Sequence, residues 1–153
     1  MKRKLLSACM AVVMGAGAGY ASMVLAQQKP EVLVKQRQSA MTLIGKYWGP
    51  VNAMAQGKAP YDAAVAQKNS EFLAALAQMP WDGFHASTKD TTEKTRALPA
   101  IFDNEAKFKE YADGLVKSTA TLAKSAKDEG AFKSAAAEVG KNCGGCHKEF
   151  RAK

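Results

Sequence analysis

Cys143-Gly144-Gly145-Cys146-His147 holds the residues of this chain whose types and spacing could do chemistry. In a C-x-x-C-H run, two thiols can add across the two vinyl groups of a haem while the adjacent histidine binds its iron. On a helix, positions i and i+3 share a face, so Cys143 and Cys146 would reach one porphyrin edge and His147 would turn under the ring. Chance occurrence of the five positions is on the order of one in a thousand at average Cys and His usage. A zinc site needs four ligands, and from residue 27 onward only His85 adds another soft donor. A thioredoxin-like C-x-x-C needs a βαβ scaffold, and a plain disulfide leaves the histidine without a purpose.

The elements that must position this motif are helical. Pro30 and Glu31 suit a helix first turn, and Leu33, Arg37, Ala40, Met41, Ile44, Tyr47 and Trp48 then follow at three- and four-residue spacing. Gly49-Pro50 predicts a kink, with continuation to about Gly57. A second helix is expected from Tyr61 to Met79, with Val65, Phe72, Leu73, Leu76 and Met79 facing inward, until Pro80 stops it. Residues 80–99 carry no periodic apolar face and read as a long crossover. A third helix is expected from Ala100 to Ala126 on Ile101, Phe108, Ala112, Leu115 and Leu122. The fourth, from Ala131, aligns Phe132, Ala136, Val139, Cys143, Cys146 and Phe150. No run alternates with period two for long enough to make a strand, so the fold class is all-α, a four-helix bundle.

The chain begins with an address. Lys2-Arg3-Lys4 precedes an uncharged apolar stretch, Leu5 to Ala26, that ends Val24-Leu25-Ala26. This pattern predicts a cleaved signal peptide over 1–26 and a mature domain over 27–153. The competing reading, an uncleaved anchor, lacks a stop-transfer charge cluster. A lipoprotein box at Cys9 has too short an apolar lead. The formal net charge is +8, of which three charges belong to Lys2, Arg3 and Lys4. The remaining excess is too small and too evenly spread to indicate nucleic acid. The 153 residues are 47% apolar and 24% charged, as in one soluble domain, and three cysteines are too few for a disulfide scaffold. The mature chain is therefore not expected to insert in a membrane.

A C-x-x-C-H on the last helix of an exported four-helix chain, six residues from its end, resembles cytochrome c′ and the class II c-type cytochromes, a family that is itself a standard four-helix bundle. The resemblance extends to Lys29-Pro30-Glu31, Arg37-Gln38-Ser39-Ala40, Gly57-Lys58-Ala59-Pro60-Tyr61-Asp62, Met79-Pro80-Trp81 and Cys143 to Arg151. It implies one covalently bound haem c per chain, with Cys143 and Cys146 as thioether anchors and His147 as the axial iron ligand. It further implies that Arg37, Gln38 and Arg96 meet the haem propionates, that Arg151 lies near the proximal imidazole, and that Met41 stands over the distal face. Independently of the family, Arg37 falls on an apolar stripe, where a guanidinium is costly unless it meets an anion or snorkels to the bundle edge.

Met41 divides the family reading. As a lid it leaves the iron five-coordinate and open to nitric oxide or carbon monoxide; as a thioether ligand it makes a low-spin electron carrier. His85, in a polar loop, reads as a solvated side chain. The expected function is single-electron transfer in the periplasm, with an unidentified redox partner protein and with gas binding or nitric oxide scavenging as the competing role. A peroxidase is not expected, because no histidine lies on an inner stripe of the first helices as an acid-base group. The resemblance also implies a homodimer through the first two helices.

Overall fold

The computed structural model describes residues 28–153; the expected leader lies outside the described residues. Helix α1 (Pro30–Ala55) opens on a proline whose missing N–H is one the first turn would leave unbonded anyway, followed by Glu31 against the positive end of the helix. It runs on through Pro50, as expected. It ends in a Schellman motif: Gly57 takes φ +69° and donates to Met54 O at 3.1 Å, and Lys58 donates to Ala53 O at 2.8 Å.

Helix α2 (Ala63–Leu76) starts where Asp62 Oδ1 accepts from the N–H groups of Ala64 and Val65, both at 2.9 Å. It is shorter than the expected span, and its inward face differs. Ala66, Ser70, Leu73, Leu76 and Ala77 are buried, while Val65, Phe72 and Met79 are 41%, 40% and 58% exposed. Of the residues expected to face inward, Leu73 and Leu76 are buried, whereas Val65, Phe72 and Met79, at seven-residue spacing, point outward. The face of smaller residues is the one that lets α2 lie close against its neighbours.

The crossover contains two short 3₁₀ turns, Trp81–Phe84 and Ala86–Thr88. Its last residues pair with the chain's tail: Ala97 lies opposite Arg151 in one antiparallel bridge, with Leu98 donating to Phe150 O at 3.0 Å and Ala152 to Arg96 O at 2.8 Å. The expected third helix is divided. One turn, α3 (Ala100–Asp103), is followed by α4 (Glu105–Ser125), and Asn104 between them leaves the helical region at φ −137°, ψ 57°. An asparagine side chain competes for backbone donors, and here Oδ1 accepts from Lys107 N at 3.4 Å to begin α4. Helix α5 (Glu129–Phe150) is capped by Asp128, which accepts from Ala131 N at 2.7 Å.

The four long helices, α1, α2, α4 and α5, form a four-helix bundle with a long connection between α2 and α3. At one end Val51, Met54, Leu73, Leu122, Phe132 and Val139 pack into a closed core. The other end, bounded by the crossover and the last turns of α5, is hollow. No helix among the described residues is long and apolar enough to cross a membrane.

Candidate functional site

The hollow end is a cavity of about 750 Å³, within the usual range for cofactor pockets. Helix α5 brings Cys143, Cys146 and His147 to one wall, as the i, i+3, i+4 spacing requires. Facing walls come from α1 (Arg37, Gln38, Met41, Ile44, Trp48), the crossover (Trp81, Phe84, Thr95, Arg96) and α4 (Phe108, Tyr111, Leu115). Arg151 closes the tail side.

Both cysteines are free thiols. Burial pushes Cys143 above the ordinary thiol range, and burial, with Cys143 and Glu149 adding, pushes Cys146 up to about 11. They are therefore neutral thiols in apolar surroundings, unlike the depressed thiolates of redox or metal-thiolate sites. The His147 imidazole is held below its ordinary range by burial first, then by the charges of Arg151 and Arg96. A neutral imidazole keeps a lone pair for a metal. No group of three or more metal-binding side chains exists among the described residues, so a metal here would need most of its ligands from a cofactor.

Arg37 is the most tightly held residue of the site. It is 3% exposed, and its Nη1 donates to Gly83 O at 2.8 Å and to Thr88 Oγ1 at 3.0 Å. Nη2 donates to Thr95 Oγ1 at 3.2 Å, and the guanidinium stacks on the Phe84 ring at 4.6 Å from its centroid. Burial lowers its pKa, yet an arginine stays charged. Gly83 must be a glycine: a Cβ there would stand 2.6 Å from Arg37 Cβ and 2.7 Å from Leu33 O. All of these acceptors are neutral, and no carboxylate among the described residues pairs with Arg37.

The lining as a whole contains three arginines, Arg37, Arg96 and Arg151, and no Asp or Glu. An apolar, aromatic-walled cavity with one histidine, two thiols and a cationic rim fits a flat apolar macrocycle bearing a metal and peripheral carboxylates.

Each residue singled out in the sequence is placed. Cys143, Cys146, His147, Arg37, Gln38, Met41, Arg96 and Arg151 all line the one cavity. Gln38 Nε2 donates to Lys94 O at 2.8 Å, and Arg96 Nε and Nη2 both donate to Ala152 O, at 3.0 and 2.8 Å. Met41 is half-buried. His85 is exposed and caps the second 3₁₀ turn, its Nδ1 accepting from Ser87 N at 3.2 Å. The sequence reading missed Thr88 and Thr95 as partners of Arg37, and Phe84, Tyr111 and Asn142 as lining. The only signal was the crowding of four threonines into the crossover.

The family model for Cytochrome C′ matches residues 32–151. The cytochrome c′ of Rubrivivax gelatinosus is 41% identical over 128 residues, a match covering 82% of this chain and 98% of that one. The chain belongs to the cytochrome c′ family.

The crystal structure of the Rubrivivax gelatinosus cytochrome c′ superposes with a TM-score of 0.77 at 40% identity, covering 82% of this chain and 98% of its own. Cytochrome c′ from Shewanella frigidimarina gives 0.78 at 35% identity, with the same coverage of both chains. A ferrous variant of cytochrome c′ from Alcaligenes xylosoxidans, solved with bound nitric oxide, gives 0.73 at 35%, covering 82% of this chain and 97% of that one. The cofactor of the cytochrome c′ family is covalently attached haem c, in agreement with the donors and the cationic rim of this cavity.

Proposed function

We propose that the chain is an exported, periplasmic haem protein that passes single electrons and leaves one face of its iron open to nitric oxide or carbon monoxide. The observation that carries this reading is the convergence of two neutral thiols, a neutral imidazole and three arginines without a carboxylate partner among the described residues on one cavity whose lining holds no Asp or Glu. When bound, haem supplies a one-electron couple and an iron that can take a neutral diatomic gas.

The chain's own residues do the rest. Cys143 and Cys146 would hold the cofactor to α5, each S–H adding across one vinyl C=C so that sulfur bonds one carbon and the thiol hydrogen the other. His147 would present its lone pair to the iron from the same wall, and burial, with Arg151 and Arg96 adding, favours the neutral imidazole. Arg37, Gln38 and Arg96 receive the propionates, which gives the buried Arg37 charge its anion. Met41, Ile44, Trp48 and Phe84 exclude water from the cavity's other side, and Met41 serves as the distal lid. The nitric oxide complex of the Alcaligenes xylosoxidans relative supports gas binding. Among the described residues, the α1 side of the lining holds no His, Asp or Glu, and His85 is spent on its turn, which supports the reading of a carrier and binder.

Met41 lines the same cavity as His147, which keeps a second reading in view: thioether ligation and a purely electron-transferring, low-spin protein. Visible spectra of the ferrous protein and of Met41→Ala separate the two. A high-spin wild type whose variant keeps that spin state, with faster carbon monoxide binding, supports the lid. A low-spin wild type that turns high-spin in Met41→Ala overturns it.

The mature protein is proposed to act as a homodimer. Val32 and Leu43 of α1, Val65 and Phe72 of α2, and Met79 just beyond it are exposed large apolar side chains, and a self-complementary contact would cover them.

A further inference from the structure

The two glycines between the cysteines are not equivalent. A Cβ on Gly144 would meet nothing within 4 Å, whereas one on Gly145 would stand 2.6 Å from Tyr111 Cε1 and 3.1 Å from both Cζ and the hydroxyl oxygen. The turn is thus seated against the Tyr111 ring of α4 with no room for a methyl group.

That ring is held in place. Its hydroxyl donates to Glu149 Oε1 at 2.7 Å, and it meets Phe150 edge-on, with centroids 6.2 Å apart and planes at 76°. Lys107 Nζ lies over the ring, 5.1 Å from its centroid. Glu149 follows His147 by two residues, so Tyr111 touches the turn before the histidine and again after it. The bond to Glu149 is also the largest cause of the raised Tyr111 pKa, as a phenol donating a hydrogen bond to a carboxylate should show.

We propose that Tyr111 is the positioning residue for the Cys143–His147 turn, its ring setting the turn's distance from α4 at Gly145 and its hydroxyl holding the far side through Glu149. The inference rests on the reading of His147 as the axial ligand. Groups outside a metal's ligands fix their direction and tune the metal, and here α4, which contributes no ligand, sets the orientation of the imidazole.

The test uses the haem-loaded protein in four forms: wild type, Gly145→Ala, Tyr111→Val and the double variant, with Gly144→Ala as a control. Resonance Raman of the ferrous state reads the iron–histidine stretch, and thermal unfolding reads stability. Gly145→Ala is expected to move the stretch from its wild-type position and to lower Tm by roughly 4–8 °C through overpacking. Gly144→Ala leaves the stretch in place. Tyr111→Val by itself moves the stretch, because the turn loses its wall and its tie to Glu149, and an unmoved stretch there overturns the proposal. With the ring gone the new methyl group fits, so the double variant keeps the Tyr111→Val position without a further shift and loses less Tm than the two single changes together. If Gly145→Ala gives no folded holoprotein, its recovery in the double variant is the supporting result and continued failure overturns the proposal. A wild-type stretch in Gly145→Ala, or strictly additive effects in the double variant, overturns it as well. A wild-type chain without haem absorbance instead overturns the proposed function, a result distinct from the other two.

Discussion

Arg37 shows most clearly how one side chain organises this site. It links α1 to the crossover through Gly83, Thr88 and Thr95, none of which is closer than 46 residues in sequence. Arg37→Leu removes the guanidinium and leaves the 2% exposed Thr88 hydroxyl and the Gly83 carbonyl without this donor. The expected loss is about 3 kcal/mol in denaturant unfolding of the holoprotein. Arg37→Lys keeps the charge without the planar fork and should fall between the two. Equal stabilities of wild type and Arg37→Leu would remove this role. Arg37 itself was legible in the sequence, because a charge on an apolar stripe demands an explanation. Its threonine partners were not, since no spacing rule connects residues brought together by a crossover. The placement of Cys143, Cys146 and His147 on one wall was legible, because their spacing is local to one helical turn.

Between elements, two tyrosines act as ties. Tyr61, just ahead of α2, donates to Ala126 O at the end of α4 at 2.7 Å, and Tyr111 of α4 donates to Glu149 of α5. Both phenols are raised above their ordinary value of 10.0: Tyr61 by burial first and then by Asp128, Glu129 and Asp62, Tyr111 by its bond to Glu149 first and then by burial. The folded chain therefore holds these protons more tightly than the unfolded one. Their stabilising contribution is fully present below the unfolded value and is lost as pH rises through the raised folded values. Tm should fall as pH climbs beyond about 10, and Tyr61→Phe with Tyr111→Phe should flatten that part of the curve. An unchanged slope in the double variant would contradict the assignment. At this scale the number, order and approximate ends of the long helices were legible from apolar spacing and from the prolines and glycines that punctuate it. On the second helical stretch Leu73 and Leu76 were placed inward correctly, but Val65, Phe72 and Met79 were not, because size was taken for burial, and α3 was joined to α4 because the apolar period runs on past Asn104 while the backbone does not.

In the whole molecule, the closed core at one end leaves the other free to be hollow, so the bundle's stability and its chemistry occupy different layers. The face that α2 turns outward bears on assembly. Light scattering of the mature protein at micromolar concentration should give about twice the chain mass. Phe72→Glu, placing a charge in the exposed stripe, should shift it to the monomer without altering the haem spectrum. A wild type that stays monomeric at every concentration would remove the dimer. The central claim is that Cys143 and Cys146 tie a haem into the cavity under His147. Mass spectrometry of the acid–acetone-washed protein from the periplasm tests it most directly. The account predicts a chain beginning at Gln27 and carrying one haem, with no haem on a chain in which both cysteines are changed to Ala. A wild-type chain stripped of its haem by the wash, or a double-cysteine variant that keeps it, would contradict the account.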